Sequence, residues 1–378
     1  MDLEPDPPHV VAATKEATMT TETQIDQDTL TAKAENVFGI FGSFITAATI
    51  HLGDELGLYA AMKNAGPMTP AALAEKTGYK ERWVLEWLRG QAAAELLTYR
   101  GADKFEMTPE EAMVLADNAN PASMVGAFRG VPLLGGLVDR IPQAFKTGLG
   151  YSFDSMGPVG AAWVEGFLGP WNRSMLVEVA LPTMPGVIGK LEKGAKVVDV
   201  GTGAAVALVT MAKSFPNSEF HGYDNSEHAL IRAKANIHEG KVSNVFIHNS
   251  DEESIPADNS FDFATCLDCL HDMSHPEKAA AAIRSALKPD GTWFIIDVDG
   301  RDTFEENLAD NPIAGFGYNV SVLCCMSSSA CVEDGGAHGT MALPESKMRK
   351  LTNDAGFTRF RRLTEIEHPF NAYYEARP

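Results

Sequence analysis

Positive charge is scarce in this chain. Its 378 residues include 31 lysines and arginines against 51 aspartates and glutamates, for a formal net charge of −20. A protein that grips duplex DNA or RNA through its phosphates needs a basic footprint, so a nucleic-acid partner is disfavoured before any motif is read. Cysteine is also sparse. Five in so long a chain make no disulfide framework. Cys266, Cys269, Cys324 and Cys325 stand in or beside apolar stretches; together with Cys331 they could be imagined as a zinc-type site, but a free thiol there acts as a small hydrophobe and no metal is expected on them. No stretch has the roughly 18 consecutive apolar residues of a membrane span. The first thirty residues contain one lysine and no arginine, which does not read as a targeting peptide. The expectation is a protein of the reducing cytoplasm with no membrane partner, preceded by a disordered tail over residues 1–32.

What is present is a globular composition, with 45% hydrophobic and 22% charged residues over a length that suggests two domains. Val37, Phe41, Phe44, Ala48 and Leu52 recur at helical spacing and predict a long amphipathic helix running to about Met62. Thr69-Pro70 opens a short helix that Gly78 ends, and 80–96 reads as another. Two short strands around Gly101 and a capping box at Thr108–Glu111 follow. Helix, helix, helix, hairpin is the order of a winged helix, assigned to residues 33–115. Residues 116–190, rich in glycine, proline and aromatics, read as a helical bridge and lid. From residue 191 to 378, short apolar strands alternate with helices, the signature of an α/β, Rossmann-like, doubly wound sheet. A hairpin at its edge ends the chain.

The strongest motif is Asp199-Val200-Gly201-Thr202-Gly203, directly after the first strand of that sheet. Glycines let the backbone turn sharply, and the helix that follows offers unpaired N–H groups to a ligand. The next strand ends in Asp224, placed to accept hydrogen bonds from two ribose hydroxyls. That spacing fits a nicotinamide dinucleotide or S-adenosylmethionine. The acidic loop suits the cationic sulfonium and amino groups of the second and would repel a pyrophosphate. Asp251, after the third strand, can accept from an adenine amino group, and Lys288-Pro289-Asp290-Gly291 turns a helix into the fifth strand.

Taken together, residues 190–299 resemble the class I S-adenosylmethionine-dependent methyltransferases. The resemblance implies that Asp199, Gly201 and Gly203 hold the methionine part, Asp224 the ribose and Asp251 the adenine, with Asp268 grouped among the cofactor residues. Ala205 stands where many members have glycine. Over about residues 33–378 the chain is similar to a mycobacterial-type group with a winged-helix front, whose counterparts among small-molecule O-methyltransferases dimerise through that front domain. A homodimer is therefore implied. In such enzymes a His-Asp pair after the fourth strand supplies a general base, which makes His271 and Asp272 the catalytic candidates. The alternative is a histidine that only packs or caps. An imidazole can take the proton that an alcohol or phenol must lose before it attacks.

The insertion between Arg301 and Leu343 is apolar and is expected to face the bridge, the two walling an acceptor chamber. Tyr151, Trp163, Trp171, Phe316 and Tyr318 are its candidate substrate-binding residues. The leading reading is methyl transfer from S-adenosylmethionine to a small molecule through oxygen or sulfur, a thiol or thioether, with nitrogen left open. The competing reading is a winged-helix DNA-binding regulator that senses S-adenosylmethionine. Its recognition helix would be 80–96, where Lys80, Arg82 and Arg89 are balanced by Glu81, Glu86 and Glu95, and where Trp83, Val84, Trp87 and Leu88 read as packing residues.

Overall fold

The computed structural model describes residues 25–378. The tail expected over 1–32 therefore lies outside the described residues as far as residue 24. Helix α1, Gln27–Glu55, starts ahead of residue 33, because the Asp26 carboxylate caps it by accepting from the N–H groups of Asp28 and Thr29 at 2.9 and 3.0 Å. The helix stops short of Met62. Gly57, in the left-handed conformation, separates it from α2, Leu58–Met62. Residues up to Ile45 and those from Thr46 onward form two separate compact units. In the first, Val37, Phe38, Ile40, Phe41, Phe44 and Ile45 are exposed, so the apolar face expected there is not buried. Helix α1 is also long and apolar enough, by length and composition, to cross a membrane. Counting consecutive apolar residues misses this, because Asn36, Ser43, Thr46, Thr49 and His51 interrupt the run without adding charge.

In the second unit, α3 (Pro70–Thr77), α4 (Glu81–Ala93), the hairpin β1–β2 (Thr98–Gly101, Lys104–Glu106) and α5 (Pro109–Leu115) follow in winged-helix order. The Thr108–Glu111 capping box that opens α5 is present. A core of Tyr59, Met62, Leu73, Val84, Leu88 and Phe105 holds them together. Helix α4 turns Val84, Leu88 and Gln91 inward. The Trp87 indole donates to the Thr49 carbonyl at 3.0 Å. Trp83, read above as a packing residue, is 80% exposed, because it lies beyond the flank of the face that 84, 88 and 91 define. Arg82 and Arg89 are engaged by Glu86 and Asp103.

The bridge contains α6 (Val131–Leu137), α7 (Ile141–Thr147) and α8 (Gly157–Ser174), and α9 (Val187–Lys193) leads into the sheet. Strands β3 (Lys196–Val200), β4 (Glu219–Asp224), β5 (Val245–Asn249), β6 (Phe261–Leu267) and β7 (Leu287–Val298) run parallel. β8 (Arg359–Arg362) and β9 (Asn371–Arg377) add antiparallel. The seven strands are ordered β5-β4-β3-β6-β7-β9-β8, so the doubly wound sheet expected from the sequence is present. The direction of travel reverses beside β3, and ligands of such sheets sit at the carboxyl ends of the strands at that switch point. The Lys288–Gly291 turn lies inside β7 as an irregularity, where Phe261 pairs with Leu287 but Phe263 with Thr292. Helices α10 (Val206–Ser214), α11 (Glu227–Gly240) and α12 (Pro276–Ala286) are the crossovers. The insertion supplies α13 (Phe304–Asp310), α14 (Ala314–Leu323) and α15 (Cys325–Ser329), and α16 (Glu345–Asp354) precedes β8.

Candidate active site

The glycine loop occupies the carboxyl end of β3, at the switch point. Gly201 and Gly203 have φ of +73° and +54°, a conformation that costs an L-residue about 1–2 kcal/mol. At Gly201 space is short as well, since a Cβ there would stand 2.7 Å from the Cys269 sulfur. Cys269 belongs to this turn, donating its S–H to the Val200 carbonyl at 3.1 Å, while Cys266 fills the core under the sheet. Ala205 also adopts the left-handed conformation, at φ +56°, just before α10. Its methyl group is accepted at the third glycine position with that strain retained. Above Gly203 a Cβ would meet nothing within 4 Å, so the turn is open where a ligand's carbon and nitrogen atoms would approach.

Two carboxylates frame this turn. Asp199 is buried and accepts from the Thr265 hydroxyl at 2.6 Å. Burial pushes its carboxyl up to about 6 against the opposing effect of that hydrogen bond. Asp224 ends β4, and its two oxygens accept from the N–H groups of Gly203 and Ser226, each at 2.8 Å. Burial raises this carboxyl too. Asp251 sits farther out, exposed in the turn after β5, where its own N–H donates to the Asn249 side chain at 3.0 Å.

Residues with no sequence signal complete the cofactor side. Glu165 of α8 accepts from Arg232 Nε at 2.5 Å and from Asn236 Nδ2 at 3.0 Å. Asn236 also donates to the Ala204 carbonyl at 2.9 Å, which ties the bridge to the glycine loop through α11. Asp154 accepts from the Ser226 hydroxyl at 2.8 Å at the start of the same helix. These side chains lie in an irregular, aperiodic segment or pair across tens of residues, so only an acidic residue in an apolar stretch could have drawn notice.

The acceptor side begins where β6 ends. Asp268 accepts from Asn371 Nδ2 at 2.5 Å. Burial, reinforced by Asp297, pushes its carboxyl up to about 7. His271 is buried in a short turn after it. Its Nδ1–H donates to Asp297 Oδ1 at 2.7 Å, so the tight partner comes from β7. The neighbouring Asp272, expected as that partner, instead places Oδ1 3.4 Å from Nε2. Burial alone would depress the imidazole, but Asp272 and Asp297 hold it well above its ordinary value. Cys325, at the start of α15, joins them, and one donor atom each of His271, Asp272 and Cys325 lies within 4.8 Å of the other two. The expectation treated Cys325 as apolar filling. Its polar partners come from strand ends remote in sequence, so the sequence could not place them beside it.

The bridge and the insertion meet, as expected. The Tyr151 N–H donates to Ser327 Oγ at 2.8 Å, and the Tyr151 hydroxyl donates to the Arg140 carbonyl at 3.0 Å. Trp163 joins Phe153, Leu323 and Cys325 around buried Leu137, Met156 and Cys324. Phe370 of the segment before β9 touches Phe167 of the bridge and Phe316 of the insertion edge-on. Trp171 is placed elsewhere, stacked on Tyr373 of β9 at 5.3 Å. Tyr318 packs against Phe304, at the outer side of the insertion, with more than a third of its surface exposed. The five candidate chamber residues therefore do not converge. Tyr151 and Trp163 lie where bridge and insertion meet, Phe316 reaches that side through Phe370, and Trp171 and Tyr318 lie apart.

Comparison with known proteins agrees with this geometry. Residues 191–333 match the family described as a methyltransferase domain, and residues 45–117 match the Rv2258c-like winged HTH domain. The chain is 33% identical over 108 residues to phosphoethanolamine N-methyltransferase 2 of Caenorhabditis elegans, covering 28% of this chain and 24% of that protein. It is 30% identical over 103 residues to the ubiquinone biosynthesis O-methyltransferase of Azoarcus sp. (strain BH72), covering 27% and 43%. The chain thus spans less than half the length of the curated relatives it matches. Among solved structures, the mitomycin 7-O-methyltransferase superposes with a TM-score of 0.62 at 20% identity over 93% of this chain and 100% of the other. Human N-acetylserotonin methyltransferase in complex with S-adenosylmethionine gives 0.63 at 16% identity over 94% and 99%. Such identities establish the fold.

Residues 191–333 thus match a methyltransferase domain and carry a fold shared with solved methyltransferases, one of them in complex with S-adenosylmethionine. In this chain that domain follows an Rv2258c-like winged helix-turn-helix domain.

Proposed function

We propose that this protein is an enzyme that transfers the methyl group of S-adenosylmethionine to a small-molecule acceptor through an oxygen or sulfur atom. The observation that carries the reading is the closed glycine turn, in which Asp224 binds the Gly203 N–H beneath an open approach while buried Asp199 stands behind it. This donor set fits the cofactor: a carboxylate at the end of β4 for ribose hydroxyls, and buried negative charge for a cation. When bound, the cofactor supplies a methyl group made electrophilic by its sulfonium.

The protein's own residues do the rest. Asp199, Gly201, Gly203 and Asp224 would hold the methionine and ribose parts, with Asp268 close by at the end of β6 and Asp251 reaching the adenine. His271, oriented by Asp297, stands with Asp272 on the acceptor side, where in its neutral form Nε2 can take up the acceptor's proton. Tyr151 and Trp163, with Phe316 across Phe370, form the apolar side against which an acceptor ring or chain rests, and Trp171 and Tyr318 have no part in it. Holding acceptor and methyl donor together supplies much of the rate, since proximity alone is worth up to about 7–11 kcal/mol in well-oriented reactions.

The exposed apolar residues 37–45 of α1 support a homodimer through the front domain. The balanced ion pairs on α4 argue against nucleic acid as the partner, and five free thiols suit a reducing cytoplasm. The test is transfer of a labelled methyl group from S-adenosylmethionine to a panel of phenols, thiols, thioethers and amines. Label in a phenol or thiol product is expected. Salt-dependent binding of duplex DNA without any transfer would replace this reading with the regulator.

A further inference from the structure

We propose that His271, Asp272 and Cys325 form a binding site for a divalent transition-metal ion of the zinc type. The three residues offer one nitrogen, one oxygen and one sulfur donor, all within 4.8 Å of one another. His271 Nε2 lies 3.4 Å from Asp272 Oδ1, which is about the edge of a tetrahedron whose metal–nitrogen and metal–oxygen bonds are near 2.0–2.1 Å.

Two further observations favour a cation there. Asp272 Oδ1 is buried and makes no hydrogen bond of ordinary geometry among the described residues, and a buried carboxylate oxygen is costly unless positive charge meets it. That oxygen's ion-pair partner is His271 Nε2 at 3.4 Å, so a bound ion would take the place of the imidazole's proton in meeting it, and the other imidazole nitrogen is fixed by Asp297 at 2.7 Å. Metal-bound histidines are commonly oriented by a carboxylate in this way, which leaves Nε2 as the ligand atom. Thiolate and imidazole donors select zinc-like ions and disfavour magnesium or calcium, which take oxygen.

Three protein ligands with a fourth position free is the pattern of zinc sites that do chemistry, whereas structural sites close all four positions with protein. Cys325 comes from the insertion and His271 from the turn after β6, so a bound ion would also fasten the insertion to the sheet. If the methyltransferase reading holds, the fourth position falls to the acceptor's heteroatom, and the ion takes over from the imidazole, whose Nε2 it occupies, the task of easing the acceptor's loss of a proton. Only this last sentence rests on that reading.

The test uses the full chain, stripped with a chelator and titrated with cobalt(II) alone, with no cofactor or acceptor added. One equivalent should bind and give both the visible bands of tetrahedral cobalt and a near-ultraviolet thiolate-to-cobalt band. Cys325→Ser should lose the near-ultraviolet band and bind at least about tenfold more weakly, and Asp297→Asn should weaken binding about 10–100-fold. Cys331→Ser, outside the cluster, should leave the spectrum unchanged. Circular dichroism checks that each variant folds. Should Cys325→Ser fail that check, Asp272→Asn makes the same comparison through affinity. Absence of saturable binding, or a thiolate band or affinity that survives these changes, would overturn the site. Cofactor binding, measured separately on the stripped protein, tells whether the methyltransferase reading stands or falls independently.

Discussion

On the cofactor side, Asp199, Gly201 and Gly203 follow one another in a single strand-to-helix turn, and Asp224 closes it from the adjacent strand. On the acceptor side, His271, Asp297 and Cys325 come from the turn after β6, the end of β7 and an inserted helix. The first arrangement is fixed by local backbone conformation and sheet pairing. The second exists only after distant segments have packed. Local change should therefore be severe at the turn, whereas the acceptor side should tolerate folding changes but be sensitive in orientation.

The largest effect is expected from Gly201→Val. The positive φ and the 2.7 Å approach to the Cys269 sulfur act together, so destabilisation on the order of 3 kcal/mol is expected. S-adenosylmethionine binding should be lost with it. Chemical denaturation and calorimetry measure both, and normal binding would show that the turn is less constrained than its geometry implies. On the other side, Asp297→Asn should leave the cofactor affinity unchanged while lowering kcat by about 10²–10⁴, because His271 loses its orienting carboxylate. An effect on KM alone would reduce Asp297 to a packing role.

A third outcome concerns pH. Asp199 has a carboxyl raised to about 6 in the free protein. A bound cation favours its ionised form, so affinity for S-adenosylmethionine should fall by up to about tenfold per unit as pH drops below 6. The stability of the free protein runs the other way. An acid whose folded value is raised contributes most below its unfolded value and loses that contribution as pH rises through about 6. Titrations between pH 5 and 8 would expose a flat profile, which would remove Asp199 from the cofactor's electrostatics. The smallest effect belongs to Ala205→Gly, which relieves the left-handed strain at φ +56° and should stabilise the protein by no more than about 1 kcal/mol in thermal unfolding.

This contrast also explains what the sequence could reveal. The glycine turn and Asp224 are short-range signals, set by two glycines, one helix start and the next strand end, so they were legible along with the parallel sheet. The partner of His271 was not. Asp272 adjoins it in sequence, but the turn after β6 points the tight contact toward Asp297, a register effect of β6 beside β7. Cys325 was read as filler because apolar neighbours surround it in the chain while its polar neighbours arrive from elsewhere. Periodicity likewise marked residues 37–52 as apolar without telling whether this chain covers them. The aromatics between residues 151 and 171 do not share a wall because Tyr151 precedes α8 while Trp163 and Trp171 stand about two turns apart along it, so one packs beside the insertion and the other on Tyr373.

Calorimetric titration of the purified protein with S-adenosylmethionine, alongside Asp224→Ala, tests the central claim most directly. The account predicts one site per chain, a raised melting temperature, and binding about 10–100-fold weaker in the variant, the worth of a hydrogen bond to a charged group. No heat and no melting shift at millimolar cofactor, or equal affinity in the two proteins, would contradict it.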